Sequence, residues 1–220
     1  MPHFDPSPAP RPRRTTLEGR YVRLIPLDSA AHTADLWPLV SPPEHDGLWT
    51  YLFDGPYRER EAFDAALAKK AASDDPLFFA ILEQPSGRAV GYASLMRIQP
   101  AHRVIEVGSI LYSPALQRTA GATEAMYLLA RHVFDDLGYR RYEWKCDSRN
   151  EPSRRAALRL GFTFEGIFRQ HMIVKGANRD TAWFSMLDSE WPSRKAAFER
   201  WLDPANFADG VQRTSLRLLR

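Results

Sequence analysis

Seven residues near the middle of the chain, Gln117, Arg118, Thr119, Ala120, Gly121, Ala122 and Thr123, have the types and order of an anion cradle. They follow a β-patterned run over residues 104–112 and a proline, Pro114, and lead into an apolar-periodic segment that reads as a helix reaching residue 137. The first backbone N–H groups of a helix lack intrahelical acceptors and lie at its positive end, so they suit a phosphate. Gly121 removes a Cβ where a ligand can approach the backbone, Arg118 brings fixed charge, and Thr119 and Thr123 bring hydroxyl donors. A pyrophosphate fits that chemistry. Taken by itself, the stretch serves equally well as the first turn of an ordinary surface helix.

Other chemistries find less support. The six histidines form neither an HExxH pair nor a Cys/His ligand set, so no metal is expected. The single cysteine, Cys146, excludes an internal disulfide and fits a reducing compartment; inside the strand-like run RYEWKCD it reads as a small core residue rather than a nucleophile. The P-loop signature, a GxGxxG after a first strand and the GxSxG of α/β-hydrolases are all absent. A net charge of +3 and a pI of about 9.1 invite a nucleic-acid reading, through the basic termini at residues 11–14 and 213–220. Elsewhere arginines alternate with acids and no recognition motif is present, so a mixed solvated surface is the stronger expectation. No apolar run approaches the roughly 18 to 20 residues of a membrane span, and the N-terminus lacks the apolar centre of a secretory signal. A cytoplasmic protein without a membrane partner is predicted.

The elements that must position the cradle follow from periodicity. Residues 1–15 carry five prolines before position 15 and read as a flexible Pro/Arg-rich tail. Residues 20–27 form a first strand and 29–40 a helix. A turn-rich loop over residues 41–57 then presents Trp49, Tyr51, Phe53 and Tyr57, more aromatic surface than a connector needs, which either packs on the core or lines a pocket. A helix over 58–72 precedes an antiparallel meander of strands at 77–83, 88–98 and 103–112. After the long helix come a strand at 140–147, a helix announced by Asn150, Pro152 and Ser153, strands at 161–169, 171–174 and 180–187, and a last helix near 192–202. One core is expected, over residues 16–189, with a C-terminal helix and basic tail at 190–220 packed on the same domain. The apolar late strands and Trp-rich last helix are also compatible with a homodimer.

Arg118-Thr119-Ala120-Gly121 resembles the Arg/Gln-x-x-Gly coenzyme A loop of the GCN5-related N-acetyltransferase (GNAT) family, and Asn150-Glu151-Pro152-Ser153 followed by Leu160-Gly161-Phe162 resembles its NxxS and LGF signatures. Among the branches the chain is most similar to the ribosomal-protein-alanine N-acetyltransferases and their broader relatives. The resemblance runs from about residue 20 to 187. It implies an α+β (mixed α/β) fold with a central, mostly antiparallel mixed sheet of about seven strands and helices on both faces.

It also implies an activity, the transfer of acetyl from acetyl-CoA to a small-molecule or peptide amine by direct attack, with no metal. The pyrophosphate falls to Gln117 through Thr123, and the pantetheine arm to the strand edge at Ile110, Leu111 and Tyr112 and to Asn150. Many members carry a tyrosine acid four residues before the glycine of LGF, where this chain has Ala157; in the ribosomal-protein branch the serine of NxxS takes that role, which points to Ser153. The glutamate that branch places further along falls on Met172, and Thr123 stands where many members have glycine or alanine. By period-2 alternation Glu106 shares a strand face with Gly108, Ile110 and Tyr112, which makes it the first candidate base, with His171 the second; as a strand glutamate it serves equally as an ion-paired or solvent-facing residue. Trp49, Tyr51 and His171 are the candidate acceptor-binding residues. The missing Ala157 and Met172 functions leave an alternative, a coenzyme-binding regulatory module that has lost catalysis.

Overall fold

The computed structural model describes residues 7–208 and 210–220. Its strands are β1 (Leu17–Glu18), β2 (Val22–Pro26), β3 (Leu77–Glu83), β4 (Ala89–Gln99), β5 (Val104–Tyr112), β6 (Arg141–Asp147), β7 (Thr163–Val174) and β8 (Ala177–Leu187). They form one sheet in the order β1-β2-β3-β4-β5-β6-β8-β7. Every neighbouring pair is antiparallel except β5 and β6, which run parallel. A parallel pair needs a crossover, and α3 (Ala120–Arg131) supplies it. The eighth strand, beyond the expected seven, is the two-residue β1, which pairs Leu17 with Leu24. It is too short to leave a periodic signal.

Helices cover both faces of the sheet, as strict alternation along its strands requires. On β3 and β4, Phe79, Ile81 and Leu95 belong to the larger core, with α3 and α5 (Trp191–Leu202). The intervening Phe78, Ala80, Leu82 and Tyr92 belong to a smaller core with α1 (Ser29–Val40) and α2 (Arg60–Ala72). A buried carboxylate ties α3 to the sheet: Glu124 accepts from the amides of Arg20, Tyr21 and Val22 at 2.8, 2.6 and 2.8 Å. Three charge-assisted bonds fix where β2 begins relative to the helix that carries the cradle.

Two expectations need correction. Residues 7–14 are docked rather than flexible: Ala9 is buried and donates its amide to Pro100 O, while Arg14 bonds Ser73 O and Asp74 Oδ1 at 2.9 and 3.1 Å. Prolines bar regular structure but also lower the entropy lost when a segment is fixed in place. The remainder of the tail, residues 1–6, lies outside the described residues. The strands expected at 161–169 and 171–174 are the single strand β7, bent by a bulge where Gln170 takes φ 49° and donates its amide to Asp180 Oδ1 at 2.7 Å. The C-terminal segment adds a small hairpin of β9 (Phe207–Ala208) and β10 (Val211–Gln212), and Leu216 is buried in the larger core. Among the described residues no helix is long and apolar enough to cross a membrane.

Candidate active site

The parallel pairing of β5 with β6 stops at Val107 and Trp144. Beyond that point β5 stays on β4, pairing Leu111 with Tyr92 and Tyr112 with Gly91, while β6 stays on β8, pairing Asp147 with Thr181. The two strands therefore part. A bulge at Ser109, with φ 48°, bends β5 away at the same place. The result is a cleft of about 1550 Å³ running between β5 and β6, from the loop before α1's partner helix α2 to the start of α3. Its walls include Glu106 to Tyr112, Gln117 to Ala120, Ala122, Thr123, Trp144 to Asp147, Asn150 and Ser153. One edge of residues 108–112 thus lacks a strand partner, which is what an extended arm needs if it is to bind as an added strand.

At the cradle, Gln117 N donates to Ser113 O, Thr119 N to Leu116 O and Ala122 N to Thr119 Oγ1. Among the described residues no acceptor stands against the amides of Arg118, Ala120 and Gly121. Arg118 sits at the turn with φ 62°, and the anion site is narrower than the seven-residue span the sequence suggests. Thr119 caps α3: its hydroxyl donates to Leu116 O at 2.7 Å and accepts from Ala122 N at 3.1 Å, so it is committed to the protein. Gly121 is absent from the cleft wall. A Cβ there would lie 2.7 Å from Val22 Cγ1, so the glycine is required by the packing of α3 on β2 rather than by ligand approach. Gln117 turns its side chain back, Nε2 donating to Tyr112 O at 3.0 Å, and Tyr112 itself donates its hydroxyl to Ala122 O. Ile110 and Leu111 line the wall, with the Leu111 side chain buried in the smaller core.

Sequence reasoning missed Arg159. Helix α4 (Glu151–Leu160) points this arginine at the start of α3, where Nη1 donates to Thr123 Oγ1 at 3.0 Å and the guanidinium lies 4.9 Å from the Trp201 ring centre. Among the described residues no carboxylate pairs with it, and burial alone holds its pKa below the ordinary arginine range. It adds positive charge next to the cradle.

Asn150 caps α4, its Oδ1 accepting from Ser153 N at 3.1 Å, and Pro152 in the first turn costs no helical bond. The helix stops at Gly161, φ 100°, which lets Phe162 turn in against Tyr142 and Trp144. Ser153 thereby reaches the cleft, and its Oγ accepts from Trp144 Nε1 at 3.0 Å. Cys146 lies beside it; burial pushes its thiol up, against the opposing hydrogen bond from Ser153, so it is no ready thiolate. Ala157 is 0% exposed and belongs to the larger core, whereas Ala156 faces the cleft. Alanine at 157 thus presents no polar atom to the cleft.

Glu106 stands where the strands part. It is buried, with Oε2 2.8 Å from Lys145 Nζ and 3.1 Å from Arg97 Nε. Burial pushes its carboxyl above the ordinary glutamate range, against the pull of Lys145 and Arg97. Lys145 also bonds Glu143 Oε2 at 2.6 Å and sits 3.9 Å from the Trp183 ring centre. His171, re-aimed by the bulge in β7, has Nδ1 2.9 Å from Thr181 Oγ1. Its pKa is lowered, by desolvation first and then by Arg97, Arg179 and Lys145. Tyr51 lines the cleft and donates to Arg149 O at 3.2 Å. Trp49 does not belong there: it is 1% exposed, stacked edge-on with Tyr57 and Phe63, and its Nε1 donates to Val40 O. Its aromatic surface went to the smaller core.

A sheet split at a parallel pair, with a helix N-terminus at one end of the split and a buried acid at its base, is a cleft suited to an extended, anion-bearing ligand beside a titratable group. Residues 22–163 match the Acetyltransferase (GNAT) domain family, and the chain belongs to that family. It is similar to a GCN5-related N-acetyltransferase from Brucella melitensis, with 52% identity and a TM-score of 0.95 over 97% of each chain. It is also similar to a probable acetyltransferase of the GNAT family from Chromobacterium violaceum, with 42% identity and a TM-score of 0.79 over 87% of this chain and 100% of that one. Over 102 residues, 46% of this chain and 56% of the relative, it is 29% identical to the ribosomal-protein-serine acetyltransferase of Escherichia coli. The protein is thus an acetyltransferase of a family that uses acetyl-CoA as co-substrate.

Proposed function

We propose that this chain transfers acetyl to a primary amine, of a small molecule or a peptide N-terminus, that enters the cleft from the side of Tyr51 and His171. The reading is carried by one observation, the parting of β5 and β6 beyond Val107 and Trp144 with Glu106 at its base. Acetyl-coenzyme A, when bound, supplies an activated acyl carbon whose bond to sulfur breaks as the bond to nitrogen forms. The arm fits the unpartnered edge of residues 108–112 and the side of Asn150, and its diphosphate fits the amides of Arg118 and Ala120, with Arg118 and Arg159 adding charge.

Glu106 serves as proton acceptor for the incoming ammonium, directly or through water, because its raised pKa moves it toward neutral pH and Lys145 orients it. His171, with a depressed pKa and a ring fixed by Thr181, shapes the acceptor side. The Ser153 hydroxyl, fixed by Trp144, donates its proton to the departing sulfur and is reprotonated, through water, by the proton that the nitrogen loses as it becomes an amide. Backbone N–H groups along 108–112 are the donors available to the acyl oxygen. The name of the Escherichia coli relative supports a protein acceptor; the cations lining the acceptor end, Arg97, Lys145 and Arg179, suit a small polar one equally.

The test is release of free thiol from acetyl-coenzyme A across a panel of amines and short peptides. Turnover by the whole chain that falls about a hundredfold or more in Glu106→Gln, with coenzyme affinity intact, supports the reading. Tight coenzyme binding without turnover on any acceptor would overturn it in favour of the inactive module, whose motives are Ala157 and Met172.

A further inference from the structure

Arg179, on β8, is the one guanidinium of the cleft wall that is both deeply buried and unanswered. It is 7% exposed, and its Nε has no hydrogen-bond partner. Among the described residues no carboxylate forms a direct ion pair with it, although Asp147 and Glu106 stand near enough to favour its charge. The acids nearby are already committed. Arg149 holds both oxygens of Asp147 at 3.0 and 2.8 Å, Lys145 and Arg97 hold Glu106, and Asp180 accepts from Gln170 N and Asn178 Nδ2. What Arg179 does have is the ring of Phe53, 5.3 Å away across the mouth of the acceptor side.

Burying a cation with no anion bonded to it is costly, and neither a single exposed ring nor carboxylates already held by other cations offset all of it. Such an arrangement is explained when the missing anion arrives with the ligand. A planar guanidinium fixed by stacking presents its donors as a fork, which matches a carboxylate in two parallel hydrogen bonds. Around His171 stand Arg97, Lys145 and Arg179, and of these Arg97 and Lys145 are paired with Glu106 while Arg179 is not.

We infer that Arg179 is the receptor for a carboxylate on the acceptor, so that the substrates of this site are amines bearing an acidic group, the nitrogen directed to Glu106 and the acid to Arg179. This rests on the acetyl-transfer reading above and narrows it to one acceptor class. The carboxylate can come from a free amino acid or from an acidic residue near a peptide N-terminus.

The experiment compares matched acceptors with the full-length protein and acetyl-coenzyme A: glycine, β-alanine and ε-aminocaproate, each against its amide, and alanyl peptides with glutamate or glutamine at the second position. The expected result is a preference of about tenfold or more in kcat/KM for the acidic member in at least one series, residing in KM. The first series reports a free amino acid and the second a peptide. Arg179→Gln should bring that ratio near unity by raising KM for the acidic member, and Arg179→Lys should restore part of it. Coenzyme affinity, measured by calorimetry, checks that each variant is folded. Equal turnover of acid and amide in the wild type, or a preference that survives Arg179→Gln, overturns the inference while leaving acetyl transfer standing. If no amine turns over, the acetyl-transfer reading fails, and calorimetry of the same acids against the coenzyme-bound protein decides the rest: Arg179-dependent binding supports the carboxylate site and its absence overturns it.

Discussion

Lys145 Nζ lies 2.8 Å from Glu106 Oε2 and 2.6 Å from Glu143 Oε2, a single buried ammonium shared by two carboxylates that face each other on adjacent strands one pair before those strands part. The lysine therefore holds the candidate base in one orientation while the desolvation it shares raises that base's pKa. Lys145→Met should lower kcat far more than it changes coenzyme affinity, because it leaves Glu106 paired only with the half-exposed Arg97. Steady-state kinetics beside calorimetry reads that split.

The pH dependence follows from the same group. A raised carboxyl pKa means that the proton-accepting form appears only above the ordinary glutamate range, so the acid limb of kcat should lie above 4.5. The stability sign is the reverse of that for a salt-bridged acid. The folded state binds the proton more tightly than the unfolded chain, so Glu106's contribution is present below its unfolded pKa and lost as pH rises through the raised folded value. A pH–rate profile in which Glu106→Gln abolishes the acid limb supports the assignment; an unchanged limb removes Glu106 from the proton path.

Gly121→Ala should destabilise the fold by roughly 1–3 kcal/mol, since the new Cβ overpacks against Val22 Cγ1. Val22→Ala in the same chain should recover part of that loss, and denaturant unfolding of the four members of the cycle measures the coupling. Additive losses would mean that the glycine answers to something other than Val22.

Ala120→Glu separates the anion site from the fold. Ala120 lines the cleft in the first turn of α3, where a carboxylate favours the helix by about 0.3–1 kcal/mol. Stability should hold or rise while coenzyme affinity collapses, because the new charge occupies the place of a phosphate. Arg159→Gln should weaken coenzyme binding by about tenfold and flatten its salt dependence, as the removal of one unpaired cation requires.

Glu124→Gln keeps the shape of the buried side chain but removes its charge, and should cost about 2 kcal/mol by weakening three bonds to the start of β2. Thermal unfolding is the measurement. A neutral result would mean that the three amides are satisfied as well by an amide oxygen.

The periodic elements were legible because each has a covered face and a polar one. The meander, α3 and the cap at Asn150 could all be read from spacing, and so could the location of the cradle at the start of α3. What spacing could not tell was direction within a turn or loop. Thr119 looks like a phosphate ligand and is a helix cap; Gly121 looks like a ligand approach and is a packing site; Trp49 looks like a pocket wall and is core. The signal for Arg159 and Arg179 was no stronger, since each is one arginine among many until long-range packing leaves it without a directly bonded carboxylate. A missing counter-charge is a tertiary property. The basic N-terminal residues illustrate the converse: Arg11 and Arg14 face Asp75 and Asp74, so charge that seemed available to a nucleic acid is partly spent inside the molecule.

Because only four residue pairs, Val104 with Arg141 through Val107 with Trp144, stitch the left half-sheet to the right, the molecule resembles two panels joined along a short seam. A slender guest laid into the open part of that seam would act as a borrowed rung, lending rigidity to both panels at once. Amide protons of residues 108–112 should then exchange much more slowly in the loaded enzyme than in the empty one, and the acyl carrier would be, for as long as it stays, a piece of the architecture.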